Sequence, residues 1–320
     1  VEGWGYGKII LLGEHAVVYG AQALTVALGQ GVRAQLSQAA DGRGARLEVP
    51  SLNFTADLFA SAPSTPPAAS RLPQAAEHTL RKLGLEAAGL QVRLNLDLPA
   101  AAGLGASAAC AVALVRAASR WRQSATIPDL GDAAVAELAN EAETLTHGRA
   151  SGIDSTVATY GGALRFVRPP GQAPSWTPLR APRPLAVAIG LSGQAGDTQT
   201  QVAKVNALYR ADPPTYQALF DRIDRLTEWG AAAFLEGDIG ALGGCMNRNH
   251  QLLRQLEVST PMLDRMVERA LHLGAAGAKL CGAGGGGAML ALAATTRQAQ
   301  AIAEGLKGLG CVAWATQLGG

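Results

Sequence analysis

Residues 90–98 read Leu-Gln-Val-Arg-Leu-Asn-Leu-Asp-Leu, an unbroken apolar–polar alternation, and no other stretch restricts the fold as tightly. Successive side chains of a strand point to opposite faces, so a period of two specifies a half-buried β-strand. Pro99 and a Gly/Ala loop through Gly103-Leu104-Gly105 follow, and Ser107 to Arg122 then reads as a helix. The stretch Leu98–Val115 carries no charge, yet it is mostly Ala and Gly and includes Pro99, Ser107 and Cys110. That composition suits a loop entering a buried helix better than a membrane span. A strand joined by a glycine turn to a buried helix calls for helices layered on a sheet.

The rest of the chain extends this pattern. Residues 6–12 read as a buried strand, and 31–37 with 45–49 read as a hairpin about the turn Asp41-Gly42-Arg43-Gly44. A proline-rich loop at 61–69 leads to a helix over 71–83 that ends at Gly84, and a further helix is expected over 131–147. Strands are expected at 161–167 and 184–190, separated by a loop at Pro169-Pro170. Helical periodicity dominates 198–272, with breaks at Asp212-Pro213-Pro214, Gly237 and Thr260-Pro261. Strands at 276–281 and 287–293, a helix at 295–308 and a strand at 310–316 complete the chain. Helices and strands mix without a steady βαβ rhythm, so the expected class is α+β, with two domains, 1–180 and 181–320, divided where strand-rich gives way to helix-rich sequence.

With 48% hydrophobic residues in 320 there is material for a large core, and a net charge of +2 without any basic block disfavours nucleic acid or an anionic membrane as the main partner. Small molecules are the expected ligands. Four widely spaced cysteines (Cys110, Cys245, Cys281, Cys311) suit reduced thiols in a cytoplasmic protein, and Val1-Glu2-Gly3-Trp4-Gly5 lacks the pattern of a signal peptide.

Three groups of residues could carry chemistry. Glycine clusters at Gly103-Leu104-Gly105-Ala106-Ser107-Ala108 and at Gly282-Ala-Gly284-Gly285-Gly-Gly287 allow backbone N–H groups to approach an anion closely, and the first opens onto a helix N-terminus. Neither is a Walker loop or a dinucleotide fingerprint. Ser107 reads equally as the N-cap of that helix. Asn140, Glu143 and His147 share a helix face ending at Gly148, and the next loop delivers Asp154. Two carboxylates of this kind suit a magnesium–phosphate site with an adjacent base, although a solvated Glu143 and a capping Asp154 would look the same. Lys8, one of only five lysines, stands in an apolar strand followed by Gly13-Glu14-His15; a solvent-facing lysine and a turn pair are the plain alternatives.

Taken in order, these segments resemble the GHMP kinase superfamily. The resemblance rests on Gly7-Lys8 through Gly13-Glu14-His15-Ala-Val-Val-Tyr-Gly20, Pro99–Ala109, His147–Asp154, Met246–Ser259 and Lys279-Leu-Cys-Gly282 through Gly287, which together span most of the chain. It implies a two-domain fold, the N-terminal half like ribosomal protein S5 domain 2 and the C-terminal half ferredoxin-like. It also implies transfer of the γ-phosphoryl group of ATP to a small alcohol, with the 5-hydroxyl of mevalonate as acceptor. Other acceptors within the superfamily (phosphomevalonate, homoserine, a sugar) and a non-catalytic ligand sensor are the alternatives.

The resemblance further implies residue roles. Residues 103–108 would hold ATP phosphates, Ser107 and Glu143 the Mg²⁺, Asp154 would be the catalytic acid–base group eleven residues beyond Glu143, and Lys8 its paired cation. Glu14, His15, Thr198, Gly284 and Gly285 would contact substrate along with Asp154. A homodimer is compatible with all of this. Tyr6, Ala106, Ala150 and Cys281 depart from the superfamily pattern, none at a position with an assigned catalytic role.

Overall fold

The computed structural model describes residues 1–39, 44–59, 71–100, 102–123, 128–147, 151–169 and 171–319, excluding the side chains of Thr146 and His147. The expected turn at 41–43, the proline loop at 61–69, Gly148, Arg149, Ala150 and Pro170 lie outside these residues. In chain order the strands and helices are β1 (Glu2–Leu12), β2 (Gln22–Gln38), β3 (Ala45–Val49), β4 (Phe54–Leu58), α1 (Arg71–Lys82), β5 (Leu90–Leu96), α2 (Ala106–Arg122), α3 (Asp132–His147), α4 (Ile153–Tyr160), β6 (Ala163–Val167), β7 (Ser175–Leu179), β8 (Leu185–Leu191), α5 (Thr198–Ala211), α6 (Pro213–Glu236), α7 (Ile239–Gln255), α8 (Pro261–His272), β9 (Gly277–Leu280), β10 (Ala288–Ala293), α9 (Thr296–Lys307) and β11 (Val312–Leu318). The α+β class expected from the sequence is what forms.

The chain makes two compact units, neither continuous in sequence: 1–7, 30–100 and 105–161 in the first, 8–29, 101–104 and 162–320 in the second. In the first unit β5 lies between the end of β2, antiparallel with Val32 opposite Leu96, and β3, parallel with Leu47 opposite Val92. The expected hairpin of 31–37 with 45–49 is therefore corrected. Both segments are strands, but β5 separates them, and the antiparallel partner of β3 is β4. Alternation states which face of a strand is buried but is silent about its neighbour.

The apolar run after Pro99 becomes the buried helix α2. Its side chains Ala108, Ala111, Val112 and Val115 form a core with Val135, Ala139 and Ala142 of α3 and Ala158 of α4. Small residues let this helix press on β1: a Cβ on Gly3 would lie 2.1 Å from the Ala113 carbonyl oxygen, and one on Gly5 2.2 Å from that of Ala109. The Arg116 guanidinium then ties the layer together, donating to the carbonyls of Trp4 (2.9 Å) and Thr159 (2.9 Å) and to Asp132 Oδ1 (2.5 Å).

In the second unit β8 runs between β10 and β11, antiparallel to both, and β9 pairs with β10. β8 and β10 are apolar without alternation because both faces are covered; a Cβ on Gly190 would meet Met266 of α8 at 2.7 Å and Leu306 of α9 at 3.1 Å. The helix breaks fall where expected. Asp212 caps α6 with Pro213 in its first turn, Gly237 ends α6 at φ +72°, and Thr260 caps α8 ahead of Pro261. The stretch after Pro169, read as loop, contains β7, an exposed strand that among the described residues pairs only with β6; its residues lack the apolar alternation that reveals a strand facing a core. All four cysteines are buried and unpaired, and burial pushes the thiols of Cys110 and Cys281 up to about 12. No helix among the described residues is long and apolar enough to cross a membrane.

Candidate functional site

In the first unit the structure joins two of the anticipated residues. α2 begins at Ala106, and its N-cap is Gly105, in the left-handed region at φ +76°, with no side chain to cap the helix. Ser107 is thus not the cap, correcting that reading; it sits inside the first turn, and its hydroxyl donates to the carboxylate of Glu143 on α3. An uncapped first turn leaves N–H groups to be satisfied by water or an anion, at the positive end of the helix dipole. Glu143 is 8% exposed, and its register against Ser107 is set by the neighbouring core residues Ala108 and Ala142. Asp154 is also no cap. Gly152 holds that position at φ +85°, and Asp154 lies in the first turn of α4, half-buried, with the hydroxyls of Ser155 and Thr156 donating back to the Gly152 carbonyl at 3.2 and 2.6 Å.

In the second unit the Gly103 end of the first glycine cluster packs on the second cluster. A Cβ on Gly103 would lie 3.3 Å from the Cys281 carbonyl oxygen, and the Ala288 amide donates to the Ala102 carbonyl at 3.0 Å. Lys8 is 4% exposed, and its amide donates to the Leu104 carbonyl at 2.9 Å, so β1 is stitched to the first cluster. Gly284 and Gly285 take φ of +77° and +70°; a Cβ on Gly284 would stand 2.1 Å from the Val258 carbonyl oxygen, an approach only glycine permits. Thr198 is the exposed first residue of α5, after the capping Asp197.

The Glu14–His15 turn is buried rather than open. His15 has φ +60°, and Nε2 lies 2.9 Å from the Ala283 carbonyl oxygen in the second cluster. A carbonyl only accepts, so Nε2 carries the proton and donates while Nδ1 is left as an acceptor. Burial holds the imidazole below its usual pKa, outweighing that hydrogen bond, so the ring is neutral. Glu14, 1% exposed, forms an ion pair with Lys279 of β9 and accepts from Asn249 Nδ2 of α7 at 3.0 Å.

Lys279 and Asn249 lie in segments that carry the family resemblance, but the sequence assigns neither a role of its own. Lys279 in Gly-Ala-Lys-Leu is, like Lys8, a rare lysine in an apolar strand. Two surface grooves, of about 520 Å³ around Arg222, Arg225, Trp229 and Arg248 and about 450 Å³ around Arg165, Trp176 and Asp224, contain none of the anticipated residues.

Chemically, the Ser107 hydroxyl and Glu143 carboxylate are adjacent hard oxygen donors beside an anion-receptive helix start. Among the described residues no group of three or more His, Cys, Asp or Glu could hold a metal on its own, so an ion here would need ligand oxygens from water or phosphate. That is the usual condition of Mg²⁺ bound with a nucleotide, and the donor set fits it.

Comparison with known proteins identifies the family. The family model "GHMP kinases N terminal domain" matches residues 70–162, and "GHMP kinases C terminal" matches 231–310. A protein of Thermococcus sibiricus named mevalonate kinase is 34% identical over 299 residues, covering 89% of this chain and 87% of that protein. The mevalonate kinase of Pyrococcus horikoshii is 35% identical over 300 residues, covering 89% and 86%. The crystal structure of L. major mevalonate kinase in complex with R-mevalonate matches with a TM-score of 0.84 at 30% identity, covering 99% of this chain and 95% of that one. By sequence over nearly its whole length and by fold, the chain belongs to the GHMP kinase family.

Proposed function

We propose that this protein uses ATP to phosphorylate the 5-hydroxyl of mevalonate, giving 5-phosphomevalonate and ADP. The observation that carries the reading is the Ser107–Glu143 pair at the uncapped start of α2, in a chain about a third identical to proteins named mevalonate kinase. Phosphoryl transfer depends mainly on positioning and on spreading charge over the moving group, so residues that bind and orient carry most of the catalysis.

Residues 103–108 would receive the ATP phosphates on backbone N–H groups. Ser107 and Glu143 would hold Mg²⁺, whose chemistry when bound is to neutralise phosphate charge. Asp154 is assigned the proton of the acceptor hydroxyl, and Lys8 would supply a cation for the charge of the moving phosphoryl group. His15, neutral and with Nδ1 as acceptor, is suited to receive a substrate hydroxyl hydrogen bond. Gly284 and Gly285 would admit substrate or phosphate against bare backbone, and Thr198 would add a hydroxyl at the start of α5.

An ADP-release assay over mevalonate, phosphomevalonate, homoserine and galactose tests the assignment. Mevalonate is expected to give the highest kcat/KM; preference for another of the four would reassign the acceptor, and silence with all four would leave a ligand sensor.

A further inference from the structure

Lys279 is fully buried in β9, and its ammonium has three donors and three acceptors: the carbonyls of Leu280 (2.7 Å) and Ile10 (3.3 Å) and the carboxylate of Glu14. The other Glu14 oxygen accepts from Asn249 Nδ2 at 3.0 Å, with Asn249 also fully buried. Asn249 Oδ1 has no partner among the described residues, so its amide is oriented to serve Glu14 at the expense of its own oxygen. A buried ion pair adds little stability over apolar residues of the same volume, because desolvation opposes the attraction. This one joins three segments that each carry an anticipated site residue. Ile10 is two residues past Lys8 on β1, Glu14 precedes the positive-φ residue His15, and Leu280 leads into the cluster holding Gly284 and Gly285. His15 in turn donates to Ala283 inside that cluster. A non-glycine residue at φ +60° persists only where its surroundings over-determine it.

We propose that Lys279 is a positioning residue for the acceptor alcohol, acting through Glu14: the ammonium anchors the carboxylate and fixes the Gly13–Ala16 turn, so that His15 is held in the orientation that leaves Nδ1 to the substrate. The proposal rests on the reading that this turn contacts the acceptor. Glu14 is then a strut of the site, and its partner three residues before the second glycine cluster is as necessary as the carboxylate itself.

The test is a double-mutant cycle of Lys279→Met, Glu14→Gln and the two together, reading kcat, KM for the alcohol, KM for ATP and Tm. Wild-type turnover is measured first with the four alcohols, so that a wrong acceptor is recognised independently and the cycle is run on whichever alcohol is used. Lys279→Met leaves a buried carboxylate unpaired, so its Tm should fall, while the neutral double variant should regain most of it. KM for the alcohol should rise roughly tenfold or more in Lys279→Met and stay raised in the double variant, because misplacement of a site is costly even without lost contacts. KM for ATP should stay within about twofold, and the double variant should be no worse than the poorer single, since both act through one contact. Recovery of the alcohol KM together with Tm would reduce the pair to a purely structural one. Unchanged alcohol KM, parallel rises for ATP and alcohol, additive effects of the two substitutions, or failure of the neutral double variant to fold would each overturn the proposal.

Discussion

Ser107 shows how much depends on the partner a single hydroxyl takes. A serine just after a Gly-x-Gly turn is chemically an ordinary helix cap, and only its position inside the first turn, donating to Glu143 instead of accepting from a backbone N–H, makes it a member of an oxygen pair. Ser107→Ala is therefore expected to raise the Mg²⁺ concentration needed for half-maximal activity; an unchanged Mg²⁺ titration would mean that the hydroxyl only packs against Glu143. Asp154→Asn would remove the proposed base while leaving the start of α2 untouched. It should lower kcat by about 10²–10⁴-fold and leave ATP affinity nearly intact, and retention of more than about a tenth of wild-type kcat would contradict the role. The helix that carries Glu143 was legible from its spacing. That Glu14 would be sealed against Lys279 was not, because the two are 265 positions apart and no local pattern links them.

At the scale of elements, the approach of α7 to β9 brings Asn249 and Lys279 to the same carboxylate. The two backbones meet at glycines: a Cβ on Gly243 would lie 2.3 Å from the Ala276 carbonyl oxygen, and one on Gly277 2.4 Å from that of Gly243. Asn247 Oδ1 then accepts from the Ala278 amide at 2.8 Å, and His250 Nδ1 from the Leu280 amide at 3.4 Å. Gly243→Ala should accordingly destabilise the protein by roughly 1–3 kcal/mol through overpacking. A Cβ at its neighbour Gly244, by contrast, meets nothing within 4 Å, so Gly244→Ala should stabilise by up to about 1 kcal/mol through helix propensity. Denaturant midpoints of the two variants check this, and shifts of the same sign would contradict the glycine-to-glycine contact. The helix limits around this packing were readable because Asp-Pro, Gly and Thr-Pro breaks act locally on capping and φ. The neighbours of β3 were not, since strand pairing joins residues that the sequence keeps apart.

For the whole molecule, two buried histidines set a pH dependence. Burial lowers the pKa of His15, and it lowers that of His250 to about 4, where nearby Lys279 and Arg254 add to the effect and Asp264, 3.2 Å from Nε2, opposes it. Unfolded, both rings would titrate near 6.5, so the unfolded state binds more protons below that pH. Their contribution to stability is complete above about pH 6.5 and is lost as pH falls toward the folded values. Thermal melts from pH 7.5 to 5, above most carboxylate titration, should show a falling Tm; a flat profile would mean that the rings are already charged or accessible in the native state. The sequence alone determined the α+β class, the family and nearly every helix end, because period, capping residues and motif spacing are encoded within a few positions of one another. Tertiary structure alone decided that β5 separates β2 from β3, that the Gly103 end of the first glycine cluster packs on the second, and that Lys279 neutralises Glu14. Each of these joins residues far apart in the chain, where only burial and the need to pair every buried polar group select the partner.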